Sequence, residues 1–182
     1  YHFVSLERTT PFFSKIFKID DRYESFVDKE DLSSVRYEKH IRQGSYETDQ
    51  IVQFDREKGV ARYDDGRQVE IVPGAKDILA SIYHTRTLDL KVGESVKVEN
   101  HTDGKNYLLE IEVLRREEVD TPAGRFNCLV LRLNTEGMGV FASRGGLTMW
   151  VTDDLWKVPV LIRSKILIGS LSAVVEEIGL GG

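Results

Sequence analysis

The longest apolar stretch, Gly146–Glu177 (GLTMWVTDDLWKVPVLIRSKILIGSLSAVVEE), reads as three strands laid side by side. These are Leu147–Thr152, Val158–Ile168 and Ser170–Ile178, with corners at Asp153-Asp154 and Gly169-Ser170. Upstream the pattern is mostly period two, the signature of a half-buried strand. Tyr1–Glu7, Phe17–Asp28, Ser34–Gln43, Tyr46–Asp55, Val60–Tyr63 and Gln68–Val72 each fit it. Pro11–Ile16 is expected to be a loop or short helical turn. Val35, Tyr37 and Ile41 are expected on one face. Asp21 falls in an apolar register, which calls for a bulge or for a partner such as Arg22 or Lys18. Gly44-Ser45, Asp55–Gly59 and Asp64-Asp65-Gly66 supply the turns, the last with a strong hairpin dipeptide.

Pro73-Gly74 ends this run, and the period changes. Ala75–Thr85 (AKDILASIYHT) places Ile78, Leu79, Ile82 and Tyr83 on one stripe, predicting a helix too short to stand without a sheet beneath it. Strands resume at Ser95–His101, Asn106–Glu118 and Phe126–Asn134. Thr121-Pro122-Ala123-Gly124 forms a corner that asks Gly124 for a positive φ. In Phe126–Asn134 both faces are apolar, so both are expected to be covered. Thr135–Gly146, with four glycines, is the longest loop.

No strand–helix–strand alternation repeats, which argues against a parallel sheet. About ten to twelve strands joined by tight turns predict a mainly β fold, and sheets of that size curl. The expectation is a single strongly curved antiparallel sheet or incomplete β-barrel, with one short helix packed against its concave side or mouth. A two-sheet β-sandwich is the alternative. The 182 residues are read as a single domain, 1–182.

Composition narrows the function. A net charge of −5 with dispersed acids argues against nucleic acid or an anionic membrane surface. No apolar run reaches the ~18 residues a membrane helix needs. Cys128, the one cysteine, excludes an intrachain disulfide and lies in an apolar run, where it reads as a small buried hydrophobe. The chain begins at Tyr1, which is compatible with a removed export signal.

Candidate chemistry is sparse. His2, His40, His84 and His101 lack metal-ligand spacing in sequence, and His84 is read as a countercharge at the helix C-terminus. The acid pairs Asp64-Asp65 and Asp153-Asp154 read as turn residues bonded to nearby amides. Hence no catalytic residue, metal ligand or cofactor is assigned. An enzyme would need a polar pocket with a histidine or carboxylate of shifted pKa. Asn100-His101-Thr102 is a formal glycosylation sequon. The aromatic residues offer more: Trp150, Trp156 and Phe141, with Ile82 and Tyr83 of the helix, are candidate contacts for an apolar ligand held in a curved sheet.

Five segments carry a family resemblance: Asp20–Asp28 (DDRYESFVD), Val35–Tyr46 (VRYEKHIRQGSY), Lys76–Ser95, Thr102–Leu131 with its TPAG-F-x-C element, and Met149–Glu177 with its W-x-TDD element. In order and spacing they resemble the bacterial DUF3108 family of unknown function. That resemblance implies an exported, periplasmic or otherwise extracytoplasmic protein of the cell envelope, with no cofactor. It also implies one or two strands ahead of Tyr1. Leu155-Trp156-Lys157 stands where relatives commonly carry charges, so Trp156 is expected to be exposed or ligand-facing. Two functions follow as expectations: binding of an apolar small molecule such as a lipid or acyl chain, or a non-catalytic module that meets another envelope protein.

Overall fold

A computed structural model describes residues 1–10, 17–134, 147–165 and 170–178. The strands are β1 (His2–Arg8), β2 (Asp20–Val27), β3 (Ser34–Gln43), β4 (Tyr46–Asp55), β5 (Val60–Tyr63), β6 (Gln68–Glu70), β7 (Ser95–Thr102), β8 (Lys105–Thr121), β9 (Gly124–Asn134), β10 (Leu147–Thr152), β11 (Pro159–Lys165) and β12 (Ser170–Val174). One helix, α1 (Ile78–Thr85), separates β6 from β7. The expected loops at Pro11–Ile16 and Thr135–Gly146 lie outside the described residues.

The strands form two antiparallel meanders of six, β1 to β6 in order and β7 to β12 in order, neither closed. The expected single curved sheet or incomplete barrel is therefore corrected: the strands divide into two sheets, as the alternative required. The division falls where the sequence changes period. β6 is only three residues long, and Pro73-Gly74 and α1 follow it, so β7 starts a new sheet instead of extending the first.

The chain separates into two compact units. The first comprises Tyr1–Thr85 with Glu99–Tyr107, the turn end of the β7–β8 hairpin. Its core is Val27, Tyr37, Ile41, Val52, Phe54, Ala61 and Tyr63, together with Ile78, Leu79 and Ala80 of α1. Tyr37 and Ile41 share a buried face as expected, but Val35 is 47% exposed. The register explains the exception. Phe26 pairs with Arg36 and Val27 with Ser34, so Val35 is the extra residue of a β-bulge and Ser34 turns inward in its place. Asp21 is also buried, and its partners are not the expected Arg22 or Lys18. Its carboxylate accepts the Arg42 amide at 2.8 Å and the Gln43 Nε2 amide at 2.5 Å.

The second unit comprises Arg86–Val98 and Leu108–Gly182. β9 is apolar on both faces, and both are buried through Cys128–Leu131. One face carries Leu129, Leu131 and Leu133 beside Val113, Met149 and Val151. The other gathers Cys128, Val130, Trp150, Val160 and Leu161, with Leu114, Val119 and Phe126 against them. Burial pushes the Cys128 thiol up to about 11, so it is an inert hydrophobe there. A bulge at Leu114 between the Val113–Leu131 and Arg115–Val130 pairs moves the odd-numbered side chains of β8 from one face to the other.

Gly124 has φ +128°, with no atom nearer than 3.9 Å to where a Cβ would lie. The constraint is thus conformational, not steric. Gly124→Val is expected to cost about 1–3 kcal/mol through backbone strain, read as a lower denaturation midpoint with an unchanged m-value.

Candidate functional site

Between β10 and β11 the chain turns through Asp153–Val158. Asp154 holds the turn from within. Its Oδ1 accepts the amides of Trp156 (2.8 Å) and Lys157 (3.0 Å) and the Thr152 hydroxyl (2.9 Å). Thr152 Oγ1 in turn accepts the Val158 amide at 2.9 Å, and the Thr152 amide donates to Val158 O. Lys157 takes φ +43°, a strained value for a lysine that this bonding maintains. Two further bonds anchor the far side. Arg86 Nε donates to Trp156 O at 2.9 Å, and Lys157 Nζ donates to Arg86 O at 3.3 Å. Asp153 accepts from Arg116 Nε at 2.6 Å. Partial burial raises the Asp154 pKa, but the Thr152 hydroxyl and the two amides more than offset this, so the carboxyl sits below its ordinary value. The acid pair therefore has the turn role expected of it.

These bonds hold the turn in place, and two of its apolar side chains are left outside. Leu155 is 92% exposed and Trp156 69% exposed. Trp156 is thus exposed, one of the two positions expected for it. Trp150, six residues earlier, is buried in the apolar cluster of the second unit, with the Arg163 guanidinium over its ring at 5.2 Å. Its indole Nε1 is buried and has no hydrogen-bond partner among the described residues. Ile82 and Tyr83 are half-buried on α1 in the first unit, where Tyr83 lies flat on Phe3 with ring centroids 3.8 Å apart. Phe141 lies outside the described residues. Depressions among the described residues include one of about 400 Å³ in the second unit, bordered by Arg116, Glu117, Asn127 and Asp153, and one of about 550 Å³ in the first, bordered by Arg56, Ile71, Val72 and Pro73. Of the described candidate ligand contacts, neither Trp150 and Trp156 nor Ile82 and Tyr83 border these two.

The first unit contains a buried polar cluster that the hydrophobic pattern does not reveal. The helix begins at Ile78 rather than at Ala75, because Ala75 and Lys76 stay extended and Lys76 bridges to Asn100. Asp77, 1% exposed, caps α1 by accepting the Ala80 amide at 2.9 Å. Its other oxygen accepts the hydroxyls of Ser25 and Ser34, both at 2.6 Å, and its own amide donates to Ser34 Oγ. Asn100 donates to Ser81 Oγ at 3.0 Å and accepts the Thr102 hydroxyl at 2.8 Å. His101 donates from Nδ1 to Asn106 Oδ1 and accepts the Tyr63 hydroxyl at Nε2, 2.8 Å away; Tyr63 OH accepts the Gly104 amide. Burial lowers the pKa of His101 and pushes that of Tyr63 up to about 12, both toward the neutral form that this chain of bonds uses. His84 lies in the last turn of α1, as its expected role requires, and burial lowers its pKa, which works against the charged form.

Burial raises Asp77 above its ordinary value of 3.8, while the Ala80 amide and the two serines pull it partly back. A raised folded-state pKa gives a contribution to stability that is complete below the unfolded pKa and lost as pH rises through the folded one. The stability of the wild type relative to Asp77→Asn is therefore expected to fall as pH rises from about 3, then level off once Asp77 has ionised. Chemical denaturation across that range checks this, and a constant difference would contradict the raised pKa.

Comparison with known proteins adds three findings. A family model described as a protein of unknown function, DUF3108, matches residues 1–176. The search of curated proteins finds no match. Among solved structures, a DUF1089 family protein from Pseudomonas aeruginosa is similar over 87% of this chain and 87% of its own, at 12% identity and a TM-score of 0.44.

Proposed function

This chain belongs to the DUF3108 family, and on that premise we propose that it is an interaction module of the bacterial cell envelope that docks a partner protein through the Leu155-Trp156 turn. The observation that carries this is two exposed apolar side chains on a turn held by bonds to the Trp156, Lys157 and Val158 amides and to the Trp156 carbonyl. Tryptophan at the centre of a contact is the commonest binding hot spot, because it covers a large area with few rotamers to fix. A turn already ordered by Asp154 and Arg86 loses little further entropy on binding. Arg116, Asp153 and Lys157 supply a polar rim of both signs. The partner is a protein with an apolar pocket bordered by charged groups. Among the described residues no helix is long and apolar enough to cross a membrane.

A second reading, an apolar ligand such as a lipid or acyl chain, is supported by Trp150. Its buried N–H lies in an apolar cluster, and an ester or carboxylate oxygen of a ligand head is the kind of group that satisfies it.

Replacing Leu155 and Trp156 together by serine is expected to leave stability within about 0.5 kcal/mol, because both side chains are exposed. The same change is expected to reduce photo-crosslinking to an envelope protein at least tenfold, with the crosslinker placed at Lys157. Crosslinking equal to wild type, or binding of the wild type to bare lipid vesicles that the double variant loses, overturns the docking role. Native mass spectrometry addresses the second reading: a lipid released from the wild type and lost in Trp150→Phe supports it, and the mass of the bare chain rejects it.

A further inference from the structure

The face of the first sheet opposite Asp21, Ser25 and Val27 carries an arrangement that docking does not use. Cross-strand pairing sets His2 against Phe26, Arg22 against His40, Glu24 against Glu38, and His40 against Asp49, so all of these side chains share one face. Two carboxylates directly opposite each other repel and are destabilising by themselves. Here each divides its oxygens in the same way. Glu24 accepts Arg22 Nε on Oε1 at 2.6 Å and turns Oε2 to His2 Nε2 at 2.8 Å. Glu38 accepts Arg36 Nε on Oε1 at 2.7 Å and turns Oε2 to His40 Nε2 at 3.5 Å. The inner oxygens of both glutamates thus meet imidazole nitrogens.

Both rings are held. His40 bonds through Nδ1 to Asp49 Oδ1 at 2.7 Å, which aims Nε2 at Glu38. His2 lies flat on Phe26, with centroids 4.2 Å apart and 5° between the planes. The carboxylate–imidazole pairing of Asp49 and His40 is the one that orients histidines around bound metals.

We propose that this cluster binds one divalent transition ion of the zinc class, with Glu24, Glu38 and His40 as ligands, solvent completing the coordination, and His2 bonded to the Glu24 ligand. Ligand atoms of these three already lie within 4.8 Å of one another. Bonds of ~2.0–2.2 Å in a tetrahedron place neighbouring ligand atoms ~3.3–3.6 Å apart, so the 3.5 Å Glu38–His40 separation fits as it stands. Mixed imidazole and carboxylate donors suit zinc, cobalt and nickel better than calcium or magnesium. Ligation needs His40 Nε2 free of its proton, the tautomer with Nδ1–H donating to Asp49. Arg22 and Arg36 hold the outer oxygens and offset the glutamate charge, which keeps affinity below that of a closed structural site. Asp49 is a positioning residue.

The test is calorimetric titration of the untagged chain with zinc chloride, alongside nitrogen-15 spectra of the four imidazoles. The expected result is saturable binding of one ion per chain, with signals of His2 and His40 shifting and those of His84 and His101 unmoved. His40→Ala, and Glu24→Gln combined with Glu38→Gln, are expected to weaken binding at least tenfold. Asp49→Asn is expected to weaken it about 10–100-fold and to alter the tautomer of His40, although it touches no metal. Heat that never saturates, shifts confined to His84 or His101, or unchanged affinity in His40→Ala overturns the site. The wild-type imidazole spectrum decides the matter even if a variant does not fold.

Discussion

The first unit depends on burying one carboxylate. Asp77 ends the extended segment, starts α1 and ties the helix start to β2 and β3 through the hydroxyls of Ser25 and Ser34. An uncompensated carboxylate at that depth would cost several kcal/mol. Three donors make it tolerable, and each is delivered by a different local device. Ser25 comes from regular alternation in β2. Ser34 faces inward because Val35 is bulged out. The Ala80 amide is an orphan of the first helical turn. The bulge, the cap and the strand register are therefore one interdependent feature.

In the second unit apolar burial governs instead. β9 is sealed on both faces, and the bulge at Leu114 lets the long β8 supply apolar side chains first to one face and then to the other. That sheet gives the β10–β11 turn a fixed base. Asp154, Thr152 and Arg86 then hold the turn by its Trp156, Lys157 and Val158 amides and its Trp156 carbonyl. Leu155 and Trp156 are displayed from that fixed turn.

Much of the fold was legible in the sequence. The bounds of β3, β4, β5 and β10 follow directly from alternation and turn residues, and Gly124 has the positive φ its corner required. The number of sheets was not legible, because strand periodicity states which residues share a face and is silent on which strand is the next neighbour. The start of α1 was misplaced for a related reason. Ala75 and Lys76 have helical propensity, but pairing of Lys76 with Asn100 overrides it. The Asp154 turn role and the exposure of Trp156 could be read from residue type and position. The Asp77 cluster could not, since Asp77 lies 52 residues from Ser25 and 43 from Ser34 in the chain. The grouping of His2, Glu24, Glu38 and His40 likewise appears only once the register is known.

The chain holds two tryptophans, one sealed in an apolar cluster and the other in solvent. Their intrinsic fluorescence is consequently a pair of separable reporters. Acrylamide quenches Trp156 while leaving Trp150 protected, so loss of quenching reports on coverage of the turn. A red shift in the protected emission reports instead on opening of the second unit. One unlabelled sample thus distinguishes a bound surface from a disrupted core.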